Sequence, residues 1–211
     1  MVGAGPGVSG SLARRYARDG YDVGLVGIDA ARVQELAGEL EALGSDVQSA
    51  VLDITDVTAA TEAVSAMGAH FGAIDVLHFN PSAFTEKDPF ELTVDELLAD
   101  VALGVGALLT AVQAARPYLR EGSRITVTGS MAADKPWHRA ASLGVQKAGV
   151  RNLVRSLDTT LQPDGIRAVT VTVRGTLSRE GAFTPDNVAD ALWSAAHQIE
   201  ADWQVEVPYA G

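Results

Sequence analysis

A chain of 211 residues, 47% hydrophobic and 20% charged, is sized for a single globular domain spanning 1–211 with a substantial core. Its formal charge of −11 argues against a phosphate-backbone partner, so no nucleic acid is expected. The absence of cysteine excludes disulfides, thiol catalysis and thiolate metal sites. No signal peptide is visible and no apolar run reaches the roughly 18 residues of a membrane span, so a cytoplasmic protein with no membrane association and no metal is expected.

The chain opens on a glycine-rich run, GAGPGVSG at residues 3–10, followed by helix-forming sequence at 11–20. Backbone without side chains approaches a pyrophosphate closely, and the amides and dipole of the following helix point at its charge. Gly3, Gly5 and Gly7 are spaced for the tight turn and Val8 leads into the helix; Ser9 stands where a further glycine would ease helix packing, with Gly10 behind it. The run at 21–26, YDVGLV, reads as a strand, which completes the start of a dinucleotide-binding unit. Such a loop normally follows a strand, yet only Met1 and Val2 precede Gly3. An upstream start, residues supplied by a tag and a truncated first strand all remain open.

Strand and helix patterns then alternate. A helix over 30–44, ended by Gly44, precedes a strand over 47–56 with a polar exit at Asp53 and Asp56. A helix at 57–72 leads to a buried-type strand at 74–80, then a long helix over 91–119 broken near Pro117. A strand at 123–130, a helix at 142–161, a strand at 166–173, a short helix at 185–199 and a strand at 203–209 complete the series. This alternation predicts an α/β fold with a doubly wound parallel sheet of Rossmann type.

These residues together resemble the short-chain dehydrogenase/reductase family, from Gly3 to about Gly175. The resemblance places the glycine loop at the cofactor pyrophosphate and Asp53-Ile54 at the adenine. It matches Asn80-Pro81 to the family's Asn-Asn-Ala-Gly stretch, and Gly175 to the Pro-Gly turn, with Arg174 in place of proline. The family's catalytic group is Asn, Ser, Tyr and Lys, with the serine thirteen residues before the tyrosine and the lysine four after. Ser130 and Lys147 meet that frame, but the tyrosine position holds Leu143 and the asparagine position falls at Gly104. The resemblance therefore implies Ser130 as the group binding a substrate oxygen and Lys147 as the anchor of the nicotinamide ribose, with no phenol to donate a proton. General acid–base catalysis contributes about 10²–10⁴-fold, so its loss is large without barring hydride transfer. His138 is a candidate replacement donor or an ordinary surface residue. His78, inside an apolar strand, reads as a hydrogen-bonded core histidine, and Trp137 as either a pocket-mouth or a core residue.

Cofactor choice rests on Gly27-Ile28-Asp29. Asp29 either reaches a ribose hydroxyl or caps the next helix, and no arginine stands at Ile28 to read a 2′-phosphate; the balance between NAD and NADP leans to NAD. Only residues 176–184 separate Gly175 from the last helix, where the family inserts a helical lid. That leaves an open site for a large substrate, or none. Relatives pair their two central helices between subunits; here 92–115 and 143–161 carry small and apolar residues, implying a homodimer or homotetramer. Three functions stay open at this level: a divergent NAD(P)-binding oxidoreductase acting on a small molecule, a catalytically silent nucleotide-binding or scaffold protein, and a non-redox enzyme reusing the pocket.

Overall fold

The computed structural model describes residues 1–211. Four of the seven α-helices begin where a side chain satisfies a free amide. Asp29 caps α2 (Ala30–Ala42), and Asp56 caps α3 (Val57–Phe71) by accepting from the amides of Thr58 and Ala59, both at 3.0 Å. Gly72, at φ 77°, closes α3 in the left-handed region. A Thr93–Glu96 capping box starts α4 (Val94–Val101), and Thr184 with Pro185 starts α7 (Pro185–Ala196). Helix α1 (Val8–Arg18) lacks any side-chain cap.

The strands β1 (Val23–Gly27), β2 (Val47–Val51), β3 (Val76–Phe79), β4 (Arg124–Ser130), β5 (Arg167–Val173) and β6 (Glu206–Tyr209) all pair in parallel. They fall into two groups, β2-β1 and β3-β4-β5-β6, joined through Val2 alone, which bridges Val26 on one side and Phe79 on the other. The Val2 amide donates to the His78 carbonyl at 2.8 Å and the Val2 carbonyl accepts from the Asn80 amide at 3.0 Å. Val2 thus holds the central position of the sheet. Helices α3, α5 (Ala107–Ala115) and α6 (Ala141–Leu161) cover one face, and α1, α2 and α7 the other. β5 shows the resulting two-sided burial: Ala168 joins the first layer, while Val169, Val171 and Val173 join the second.

The expectation that no apolar segment is long enough to span a membrane needs correction. The continuous helical stretch Val94–Tyr118 has 25 residues, and an 18-residue window within it reaches a mean hydropathy of 1.8, long and apolar enough by length and composition. Its second half, α5, is a core helix: Ala107, Leu108, Ala111, Val112, Ala114 and Ala115 all lie in the largest apolar cluster. The stretch is also not a uniform α-helix, because a π-helical turn, Ala102–Gly106, separates α4 from α5.

A cleft of about 1150 Å³ lies at the amino edge of the sheet, between Val23-Gly24 and Val76-Leu77, also lined by Met67, Arg120 and His197. Met1 ends inside it, its terminal nitrogen 2.6 Å from the Gly24 carbonyl, and burial pushes the amine from 8.0 down to about 5. The unfolded chain therefore holds a proton between about pH 5 and 8 that the folded chain has shed, so this group makes stability rise with pH through that window. Four apolar residues joined ahead of Met1 in extended form would replace the amine with a peptide and pair backbone on both walls. At roughly 0.5–1.5 kcal/mol per hydrogen bond, the extended chain should gain about 2 kcal/mol or more and lose this part of the pH dependence. Urea unfolding of both forms at about pH 5.5 and pH 8 measures each effect, and equal slopes would refute the assignment to Met1.

Candidate active site

The strands' carboxyl ends gather the residues singled out in the sequence. Gly3 follows the central strand, Asp53 lies just beyond β2, Asn80 follows β3, Ser130 ends β4 and Gly175 lies just beyond β5. Strand order reverses at Val2, so this edge is the topological switch point at which open α/β sheets bind ligands. The 1150 Å³ cleft lies at the opposite edge and is lined by none of these residues.

The glycine loop is folded hard onto α1. Gly3 sits at φ 81° beneath Pro81, where an added Cβ would lie 2.9 Å from the proline Cδ. An added Cβ on Gly10 would lie 2.5 Å from the Gly5 carbonyl oxygen, so Gly10, rather than position 9, is the glycine that permits close packing. Val8 turns its side chain into the apolar cluster with Leu12 and Tyr16 and offers only its backbone. Beyond Gly5 and Gly7 the space is open, with nothing within 4 Å of either Cβ position. The first turn of α1 carries no capping side chain and no acid, and the buried Ser9 hydroxyl has no partner. An uncapped helix start under an open glycine loop suits an anion.

Around this loop the side chains sort by what they already bond. Asp29 accepts from the Arg32 amide at 3.2 Å and pairs with the Arg32 guanidinium at 3.3 Å, so of its two sequence-level readings the structure displays the helix cap. Asp53 is exposed and accepts from the Thr55 amide (2.9 Å) and hydroxyl (2.7 Å), which hold its carboxyl below the usual carboxylate range. Ile54 is buried in the core, and Asn80 is half-buried. His78 is fully buried with Nδ1 2.9 Å from the Thr126 hydroxyl, and burial pushes it down to about 3, so it stays neutral.

Lys147 lies on α6 and is 5% exposed, with Nζ donating to the Thr128 carbonyl at 2.9 Å. No carboxylate accompanies it, and burial pushes its ammonium from 10.5 down to about 8. An ammonium has three donors, so two remain for a ligand. Ser130 is half-buried; its Oγ accepts from the Ala132 amide at 3.2 Å, which leaves the hydroxyl proton free to donate. Leu143 stands one helical turn before Lys147 and is half-buried. His138 occupies an exposed 3₁₀ turn, its ring edge-on to Trp137, which itself is exposed and stacks with Phe84. Gly175 is covered by the ring of Phe183, which meets Tyr209 edge-on; the Tyr209 hydroxyl donates to the Ala182 carbonyl at 2.5 Å. The short 176–184 segment is thereby folded back against the end of β5.

A buried polar chain escaped the sequence reading. Ser82 donates to Gln146 Oε1 at 2.9 Å, Gln146 Nε2 donates to the Asp100 carbonyl at 2.5 Å, and Ser142 donates to the Asp100 carboxylate at 2.6 Å. The available signal was spacing: Ser142 and Gln146 are polar residues one turn apart on the buried face that continues through Val150 and Val154.

The loop geometry makes two glycine substitutions separable. Gly10→Ala drives a methyl into the Gly5 carbonyl and should cost about 1–3 kcal/mol of stability, the range for overpacking. Gly7→Ala enters open space and should stay within about 1 kcal/mol of the parent. Urea midpoints decide; an equal loss from both would contradict the geometry.

The comparisons agree with this arrangement. The family model for short chain dehydrogenase matches residues 1–182. The BbsC subunit of (2S)-[(R)-hydroxy(phenyl)methyl]succinyl-CoA dehydrogenase from Thauera aromatica is 28% identical over 172 residues, covering 81% of this chain and 69% of its own. The NADP-dependent 3-hydroxy acid dehydrogenase YdfG of Salmonella typhi is 26% identical over 219 residues, covering 93% and 87%. The crystal structure of a short chain dehydrogenase from Burkholderia cenocepacia J2315 in complex with NADP superposes with a TM-score of 0.88 at 27% identity, covering 96% of this chain and 91% of that one. With parallel strands, switch-point glycine loop and family match in agreement, the chain belongs to the short-chain dehydrogenase family.

Proposed function

We propose that this chain is a divergent NAD(P)-dependent oxidoreductase that acts on a carbonyl/alcohol pair in a small molecule. The observation that carries the reading is Lys147: a buried cation with a single carbonyl partner, at the ligand-binding edge of the sheet. Burying an unpaired charge is costly and is retained where a ligand completes its bonds. The residues present suit a nicotinamide nucleotide: the open glycine loop and uncapped α1 would take the pyrophosphate, and Lys147 the ribose. When bound, that cofactor supplies or accepts the hydride. Ser130 would donate its free proton to the substrate oxygen and hold it in place. Leu143 has no proton to give, so the proton comes from water or from His138. For the nucleotide we favour NAD: Asp29 repels a 2′-phosphate, and the neighbouring Ile28 is apolar and exposed.

A second reading, a nucleotide-binding protein without turnover, is favoured by Leu143 and Gly104, the two positions where the resemblance expects catalytic groups. We also infer a homodimer or homotetramer, supported by exposed Leu98, Leu109 and Val145 on α4, α5 and α6. Light scattering that shows only monomer at tens of micromolar, on the order of typical working concentrations, would refute it.

Calorimetric titration with NADH and NADPH should detect binding, with Gly7→Ala weakening it by about tenfold or more while leaving the fold intact. No binding at millimolar nucleotide would end the cofactor reading. Because Lys147 loses its charge near pH 8, affinity should fall as pH rises through that value, and Lys147→Met should remove the dependence. Leu143→Tyr restores a phenol one turn from Lys147, and carbonyl reduction should appear or rise by up to about 10²–10⁴-fold. A folded, nucleotide-binding Leu143→Tyr protein that is inactive across a broad carbonyl panel would favour the second reading.

A further inference from the structure

Gly104 lies in the middle of the π-helical turn and is buried. A Cβ placed on it would overlap the side chain of Gln146, meeting its Cγ, its Cδ and, at 2.9 Å, its Nε2. The space next to the Gly104 backbone is therefore filled by a carboxamide delivered from α6. Gln146 is fully buried, and both ends of the amide are used. Nε2 donates at 2.5 Å to the Asp100 carbonyl, just before the widened turn, and Oε1 accepts from Ser82 at 2.9 Å. The turn itself is wide: the Ala107 amide donates to the Ala102 carbonyl, five residues back. A side chain inserted into a helical ladder is a known cause of such a distortion.

We propose that Gln146 supplies from α6 the carboxamide that the chain lacks at Gly104, and so acts as a positioning residue for the loop Asn80–Ser82 and the adjoining Lys147. The inference rests on the oxidoreductase reading, in which position 104 is the asparagine position. The route of its action is mechanical. Gln146 holds Ser82; the neighbouring Pro81 lies over Gly3; and Gly3 begins the loop that would carry the pyrophosphate. Gln146 also precedes Lys147, so its buried amide fixes the helix turn that aims the ammonium at Thr128. The exchange is reciprocal: a glycine on one helix makes room for the longer amide on the other.

The test is a swap read by two observables. Gly104→Asn alone should lose several degrees of melting temperature, because its side chain meets Gln146. Gln146→Ala should weaken NAD(P)H affinity by about three- to tenfold. Gly104→Asn combined with Gln146→Ala should recover both, with affinity within about twofold of the parent and melting above either single variant. Recovery by a carboxamide from the other helix distinguishes positioning from simple filling, and Gly104→Leu with Gln146→Ala, of similar bulk without an amide, should recover melting only. Should Gln146→Ala fail to fold, Ser82→Ala removes the same link from an exposed position and should weaken the nucleotide by about threefold. The inference is overturned if the double variant recovers no affinity while folded, if the leucine pair recovers it equally, or if Ser82→Ala and Gln146→Ala bind as the parent does. A parent protein that binds no nucleotide refutes the oxidoreductase reading instead, and the melting cycle then decides the swap alone: additive losses from Gly104→Asn and Gln146→Ala would refute it.

Discussion

One residue joins the two halves of the sheet. Val2 is 1% exposed, and its amide and carbonyl bind β3 while the backbone on either side binds β1: Val26 donates to the Met1 carbonyl and Gly3 donates to the Val26 carbonyl, each at 2.9 Å. Everything at the ligand edge is placed relative to this joint. Gly3 is the next residue, Pro81 lies on Gly3, and Asn80 hydrogen bonds back to Val2. A parallel sheet buried on both faces normally runs several residues through its centre. Here that centre is Val2, and the cleft that Met1 lines lies at the amino edge.

Much of this was readable from the sequence, for identifiable reasons. Glycine termini and Ser/Thr/Asp caps are local signals, so the ends of α2 and α3 fell close to their expected places. The frame linking Ser130 to Lys147 is a spacing that the family resemblance implies, and the fold brings the end of β4 and the Lys147 ammonium together at one edge of the sheet. The packing at the π-helical turn was not readable, because the side chain that fills the space beside Gly104 lies 42 positions further along the chain. Nothing local to Gly104 reports that Gln146 will occupy its side-chain space. Asp29 was ambiguous because a carboxylate after a strand serves a ribose or a helix start equally well; the Arg32 pair resolves its present bonding. The membrane-length criterion failed on Val94–Tyr118 because length and hydropathy do not distinguish a core helix from a span.

The same separation of causes applies to the chemistry. Lys147 is held by burial and a single carbonyl, without help from an acid, so its charge responds to whatever binds beside it. The polar chain from Ser82 to Ser142 is satisfied link by link, which gives the region around Leu143 a fixed framework although that residue offers no hydrogen bond.

The stacked pair Phe84–Trp137 has an optical consequence. The chain has three tryptophans, and Trp193 and Trp203 lie on the far layer with α7 and β6, Trp193 beneath Arg15 and Trp203 beneath Arg124 and Arg167. Trp137 alone stands in the segment between Ser130 and Leu143, 47% exposed, with its ring centroid 6.4 Å from that of Phe84. Its emission is therefore a solvent-sensitive signal from the segment between Ser130 and Leu143, whereas the other two indoles, with buried nitrogens, form a steadier background.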